Sequence, residues 1–171
     1  MMFTQLSRAV AAAALAALLL APLPSLADDA ILRVGGKVDT PLALTRSDLA
    51  AMPHESFEIP TRDDKSVMEK WEGVPMIAIL RKAGAPVDDR LRGPNMAGYV
   101  VVTARDGYRA VFALAEVDPA FSPQRQVLVA DGLDGASLTG KFGNLRIADR
   151  GATEFGRWVR DVVALEVRIA E

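Results

Sequence analysis

The sequence predicts an α+β domain, a single compact unit of mixed, largely antiparallel β-structure with a few short helices. Three observations carry this. Short β-branched or alternating runs recur along the chain. Gly-, Pro- and Asp-rich turns separate them, and only two or three stretches carry helix signals. The chain has 171 residues, which suits one domain and a core that needs no disulfide or metal staple.

The elements follow in order. Ile31-Leu32-Arg33-Val34 reads as a strand, and Gly35-Gly36 as a turn or bulge. Thr45 can cap a short helix running through Met52, with Asp48 in the capping-box position. Pro53 ends it. Ser56–Pro60, the polar turn Thr61–Lys65 and Val67–Glu72 form a hairpin. Pro75 suits N1 of a helix through Ala83, with Gly84 as its stop. Asp88–Gly98 is a polar connection. Tyr99–Ala104 and Tyr108–Phe112 pair across the turn Asp106-Gly107. Leu114–Val117 makes one helical turn. Gln126–Ala130 is a strand, Asp131–Gly135 a loop, and Leu145–Ala148 another strand. Glu154–Arg160 turns once as a helix, and Val162–Ile169 closes the chain as a long strand.

The first residues have a different purpose. Arg8 precedes the apolar run Ala9–Ala21, which is too short to span a bilayer comfortably. Pro22 and Pro24 break that run, and Ser25-Leu26-Ala27 offers small residues for cleavage. The pattern predicts a secretory signal over 1–27, a domain over 28–171, and a periplasmic location with no membrane span after cleavage. A lone Arg8 indicates export of an unfolded chain, so any cofactor would be acquired afterwards.

Composition narrows the chemistry. There is no Cys, which removes thiolate catalysis, Cys-ligated zinc, iron–sulfur clusters and disulfides. One His leaves no multi-His metal site, so no protein-held metal is expected. Twenty basic against 22 acidic side chains give no case for nucleic-acid binding. Gly135–Phe142 nearly matches a phosphate-binding P-loop, but Phe142 stands where Ser or Thr would hold Mg²⁺. His54 has no nucleophile motif beside it and reads as a surface residue.

The order of motifs carries a resemblance. Gly36-Lys37-Val38, Leu44-Thr45 with Asp48-Leu49, Trp71-Glu72-Gly73-Val74-Pro75, and Leu80 with Ala83-Gly84 come first. Ala104-Arg105-Asp106-Gly107-Tyr108, Leu128–Ala130, Gly143-Asn144-Leu145-Arg146-Ile147 and Arg157-Trp158-Val159 follow in the same order. The set resembles the oxidoreductase molybdopterin-binding domain of the sulfite oxidase family, over nearly the whole of 28–171. The resemblance implies that family's fold, and a pterin- and anion-facing set of loops around Lys141, Arg146, Arg150, Arg157 and Arg160. It also implies that Arg105 and Tyr108 flank a pocket, although an Asp-Gly hairpin accounts for that segment structurally.

The departures bear on function. Catalytic members ligate molybdenum through a cysteine upstream of the Trp-x-Gly junction, where this chain has only the turn Thr61–Lys65. Asn144 replaces the usual Pro, and the domain is much shorter than the catalytic ones. A soft thiolate is not replaced by hydroxyls or carboxylates without changing the metal chemistry. The expectation is therefore an exported accessory binding domain. It would hold a small anionic ligand or a periplasmic protein partner, with Arg105, Tyr108, Lys141, Arg146 and Arg157 as candidate ligand-binding residues and no cofactor required. The alternative is a molybdopterin-dependent oxidoreductase whose metal is held without a protein thiolate.

Overall fold

The structure is a computed structural model, and it describes residues 29–152 and 155–171. The signal segment expected over 1–27 lies outside the described residues, as do Thr153 and Glu154 at the start of the turn expected over Glu154–Arg160.

Ten strands in two sheets make the framework of the described residues. The first sheet holds β1 (Leu32–Gly36), β2 (Leu42–Leu44), β5 (Gly98–Ala104), β6 (Arg109–Ala113) and β10 (Val162–Ile169) in the order β2-β1-β10-β5-β6. Only the β1–β10 pair is parallel here, which the long stretch of chain between these first and last strands permits. The second sheet holds β3 (Glu55–Pro60), β4 (Met68–Pro75), β7 (Val127–Leu133), β8 (Ala136–Ser137) and β9 (Arg146–Asp149), all antiparallel. β8 and β9 share one edge of β7 in succession. Three helices complete it: α1 (Arg46–Ala50), α2 (Met76–Ala83) and α3 (Leu114–Val117). This is the expected α+β architecture.

Several elements arise as local chemistry dictates. Thr45 accepts from the Asp48 N–H at 3.0 Å while Asp48 accepts from the Thr45 N–H at 2.9 Å, a complete capping box for α1. Gly84 ends α2 at φ 71°, where any Cβ is disfavoured. Others differ from expectation. β2 went unread because three residues carry too little pattern. Pro75 caps α2 as the last residue of β4 instead of opening the helix. Gly36 continues β1 and makes no turn. Its φ is 84°, and a Cβ there would lie 2.1 Å from the Val167 carbonyl oxygen, so only glycine permits the β1–β10 pairing. The polar connection 88–98 contains two 3₁₀ turns and buries Leu91.

The second sheet is buried on both faces, and this places the site. Val127, Val129 and Ile147 point into the main core with α2 and the first sheet. The alternate residues Trp71, Leu128, Ala130 and Ala148 point the other way, into a smaller cluster with Phe57, Leu138 and Trp158. Arg146 lies two residues before Ala148, so strand alternation puts it on this second face.

Candidate functional site

A cleft opens over the second cluster and has two lobes. The first, of about 330 Å³, is lined by Tyr108, Asp106 and Trp158 together with Arg62, Arg146, Phe155 and Arg160. The second, of about 260 Å³, shares Arg62, Arg146, Phe155 and Arg160, and adds Lys141, Phe142 and Trp71. The four shared residues form the boundary between the lobes.

Arg146 is the centre of it. Its guanidinium carbon lies 4.9 Å from the Trp71 ring centroid, 5.1 Å from Phe142 and 5.5 Å from Trp158. Trp71 and Trp158 meet edge to face at 5.4 Å, and Trp71 and Phe142 at 5.9 Å, so the rings form a fixed box. The Nε of Arg146 and the indole nitrogens of Trp71 and Trp158 are buried with no hydrogen-bond partner among the described residues. They sit within this ring cluster, where π faces accept only weakly. Burial, then the neighbouring charge of Arg160, push the Arg146 guanidinium down to about 10, against the pull of Glu69. A backbone bridge pairs Arg146 with Arg160, which brings two like charges side by side.

Arg62 lies over Phe155 at 5.9 Å and Lys141 over Phe142 at 4.9 Å. Among the described residues, none of Arg62, Lys141, Arg146 and Arg160 is within ion-pair distance of a carboxylate, although Asp63, Glu69 and Asp106 line the same lobes. Elsewhere arginines are paired: Arg81 with Asp88, Arg90 with Asp39, Arg125 with Asp149 and Arg168 with Glu166. Among the described residues, four cations without an ion pair therefore share one aromatic-walled cleft.

The structure brings together some of the residues singled out from sequence and separates others. Tyr108, Lys141 and Arg146 line the cleft, as does Arg160. The Tyr108 hydroxyl donates to the Gly156 carbonyl at 2.7 Å and ties the β5–β6 turn to the cleft wall. Arg105 is not among the lining residues. Its Nε donates to Asp161 at 2.9 Å and fastens the same turn to the start of β10. Arg157 also points elsewhere. It donates to both oxygens of Glu116, at 3.2 and 2.8 Å, and to the Val111 carbonyl at 3.0 Å, and it stacks over Phe112 at 4.2 Å. Arg150 is exposed and lies outside both lobes.

Arg62 was missed by sequence reasoning, which read Thr61–Lys65 as a plain polar turn. A signal existed: the motif order sets this turn at the segment that bears the metal ligand in the family. His54 lies on a separate cleft of about 400 Å³ with Glu55, Glu72 and Asp131. Its Nδ1 is 2.9 Å from the Met52 carbonyl and its Nε2 3.1 Å from Asp131.

No family model matches the chain, and no curated protein matches it. Among solved structures, the chain is similar to the sulfane dehydrogenase SoxCD from Paracoccus pantotrophus. The TM-score is 0.61 with 19% identity, over 80% of this chain and 37% of that one. The likeness is one of fold, and it agrees with the molybdopterin-oxidoreductase-like fold implied by the motif order. This chain spans little more than a third of the dehydrogenase chain.

The donors lining the cleft do not fit a protein-ligated molybdenum centre. The chain has no Cys, and among the described residues no group of three His, Asp or Glu is placed to hold a metal ion. What the cleft presents is guanidinium, ammonium and ring faces with a few hard carboxylates. None of those groups is a soft ligand.

Proposed function

We propose that this chain is an exported binding domain that uses an oxidoreductase fold to hold a small anionic ligand in the Arg146 cleft. One observation carries the reading: among the described residues, the half-buried Arg146 guanidinium has no carboxylate within ion-pair distance, and it is bridged to a second arginine. A cation held in that setting is stabilised when an oxyanion arrives. Arg62 and Arg160 supply further guanidinium forks, and the rings fix the orientation of Arg146 before binding. The missing thiolate supports binding over molybdenum redox chemistry. Export is supported by the pattern of Arg8, Ala9–Ala21 and Ser25-Leu26-Ala27.

Titration calorimetry of the purified domain with orthophosphate and sulfate tests the ligand. Saturable binding that disappears in Arg146→Ala and Arg160→Ala is expected. No binding by the wild type at millimolar anion would overturn the reading. So would molybdenum at unit stoichiometry in protein purified from its own host, which would favour the oxidoreductase alternative. Intact mass of the exported protein should begin at Asp28.

A further inference from the structure

Asp161 directly follows the cleft residue Arg160, and its backbone is left-handed at φ 47°. A residue with a Cβ enters that region only when its surroundings hold it there. Here every polar group of the residue is engaged. Its N–H donates to the Phe142 carbonyl at 3.1 Å, and its carbonyl accepts from the Arg105 N–H at 2.9 Å. Its Oδ2 accepts from the Arg105 Nε at 2.9 Å, and its Oδ1 accepts from the Asn144 N–H at a longer 3.4 Å. Gly143 packs so closely that a Cβ there would lie 2.3 Å from the Asp161 Cβ.

These partners belong to different walls. Arg105 opens the β5–β6 turn, whose Asp106 and Tyr108 line the first lobe. Phe142 lines the second lobe, meets Trp71 edge to face and lies under the Arg146 guanidinium. Asn144 leads from Phe142 into β9, which Arg146 begins. Asp161 itself lines neither lobe. We propose that Asp161 is the positioning residue of the cleft. It sets the β5–β6 turn, the Phe142 turn and Arg160 relative to one another without touching the ligand. Its backbone holds each of the two turns at one point, and its carboxylate holds each at a second point. Two-point attachment fixes orientation as well as distance, so the walls are set before a ligand arrives. The effect on affinity rests on the anion-binding reading above, whereas the effect on the walls does not.

Asp161→Gly separates the two contributions, because glycine accepts the left-handed backbone and removes only the carboxylate. The chain has two tryptophans, Trp71 and Trp158, and both belong to the ring cluster beside Arg146. Near-ultraviolet circular dichroism therefore reads the packing of these walls. In Asp161→Gly that signal should fall while the far-ultraviolet signal is kept. Orthophosphate affinity by calorimetry should weaken about tenfold, the order of the cost of ordering one or two loosened side chains on binding. Asp161→Asn tolerates the same backbone and keeps an acceptor oxygen, so it should restore the signal and bring affinity to within about threefold of wild type. Gly36→Ala is strained away from both lobes and should leave both readings as in wild type. An unchanged tryptophan signal in Asp161→Gly overturns the positioning role. So does unchanged affinity in that variant when the wild type binds, or an Asp161→Asn that behaves like Asp161→Gly. Equal losses in Gly36→Ala overturn it too, because the effect is then lower stability alone. If the wild type binds no orthophosphate but the signal falls in Asp161→Gly and returns in Asp161→Asn, the anion-binding reading alone fails and Asp161 is still what sets these walls.

Discussion

At the residue scale, Arg146 and His54 show two ways a charge can be held. Arg146 is walled by rings and has no ion pair among the described residues, and burial and the charge of Arg160 work against its own charge. His54 is the reverse. Both its ring nitrogens face acceptors, the Met52 carbonyl and the Asp131 carboxylate, and only the imidazolium can donate to both. Burial is the largest single influence and lowers its pKa. The Asp131 and Met52 hydrogen bonds, with the charges of Asp131 and Glu72, outweigh it, so the net shift is upward. A raised folded-state pKa gives stability that is full below the unfolded value of about 6.5 and is lost as pH rises through the folded value. We expect the urea midpoint of the wild type to fall relative to His54→Ala between about pH 6 and pH 9. An unchanged difference across that window would show that the pair contributes nothing. Neither residue's environment was legible from the sequence. His54 read as a lone surface histidine, because Asp131 lies 77 residues away along the chain. Motif order makes Arg146 a candidate, but whether a counter-ion reaches it depends on what comes near it in space.

At the element scale, the cleft depends on how loops are fastened to strands. The connection after α3 and the end of β9 meet through Arg125, whose side chain pairs with the fully buried Asp149 at 2.6 Å. Arg125 also approaches Glu116 at 3.5 Å, and Arg157 holds that carboxyl below its usual range. Removing Arg125 would leave Asp149 buried and uncompensated. Arg125→Ala is expected to cost about 3–5 kcal/mol by chemical denaturation, whereas the double change with Asp149→Ala should cost less than the two single losses added together. Arg157 belongs to this fastening and not to the cleft. Its neighbour Trp158 points into the second cluster, and sequence position alone could not say which way each residue of an irregular turn would face. Gly36 makes a sharper point. Gly35-Gly36 looked like a turn because paired glycines usually mark one. The actual cause of the second glycine is the close approach of β10. Gly36→Ala places a Cβ against the Val167 carbonyl and should destabilise the domain by about 2 kcal/mol or more, with Gly35→Ala much milder. Equal effects at the two positions would refute that explanation.

At the scale of the whole molecule, ligand binding and folding are linked. The cleft is built from the β3–β4 turn, the 3₁₀ turn before β9, β9 itself and the segment before β10, so the ligand contacts chain from widely separated parts of the sequence. Anion at about a hundredfold its dissociation constant should therefore raise the unfolding free energy by ~2.7 kcal/mol. The corresponding rise in Tm, on the order of 5–10 °C for a domain of this size, should be absent in Arg146→Ala. A rise of the same size in that variant would place the anion elsewhere.

The sequence by itself determined the α+β class, most strand and helix positions, the capping of α1 and the family of folds. Those follow from local signals: side-chain period, turn residues, caps and the order of short motifs. It also excluded thiolate chemistry outright, since a count of zero cysteines needs no structure. The tertiary structure alone decided how the arginines are paired. Arg105, Arg125 and Arg157 are matched with carboxylates far away in sequence, while Arg62, Lys141, Arg146 and Arg160 line one cleft with no ion pair among the described residues. Pairing is a matter of distance in space, and the chain order that places a charge near its partner is set by sheet register and loop closure, which no local run of residues encodes.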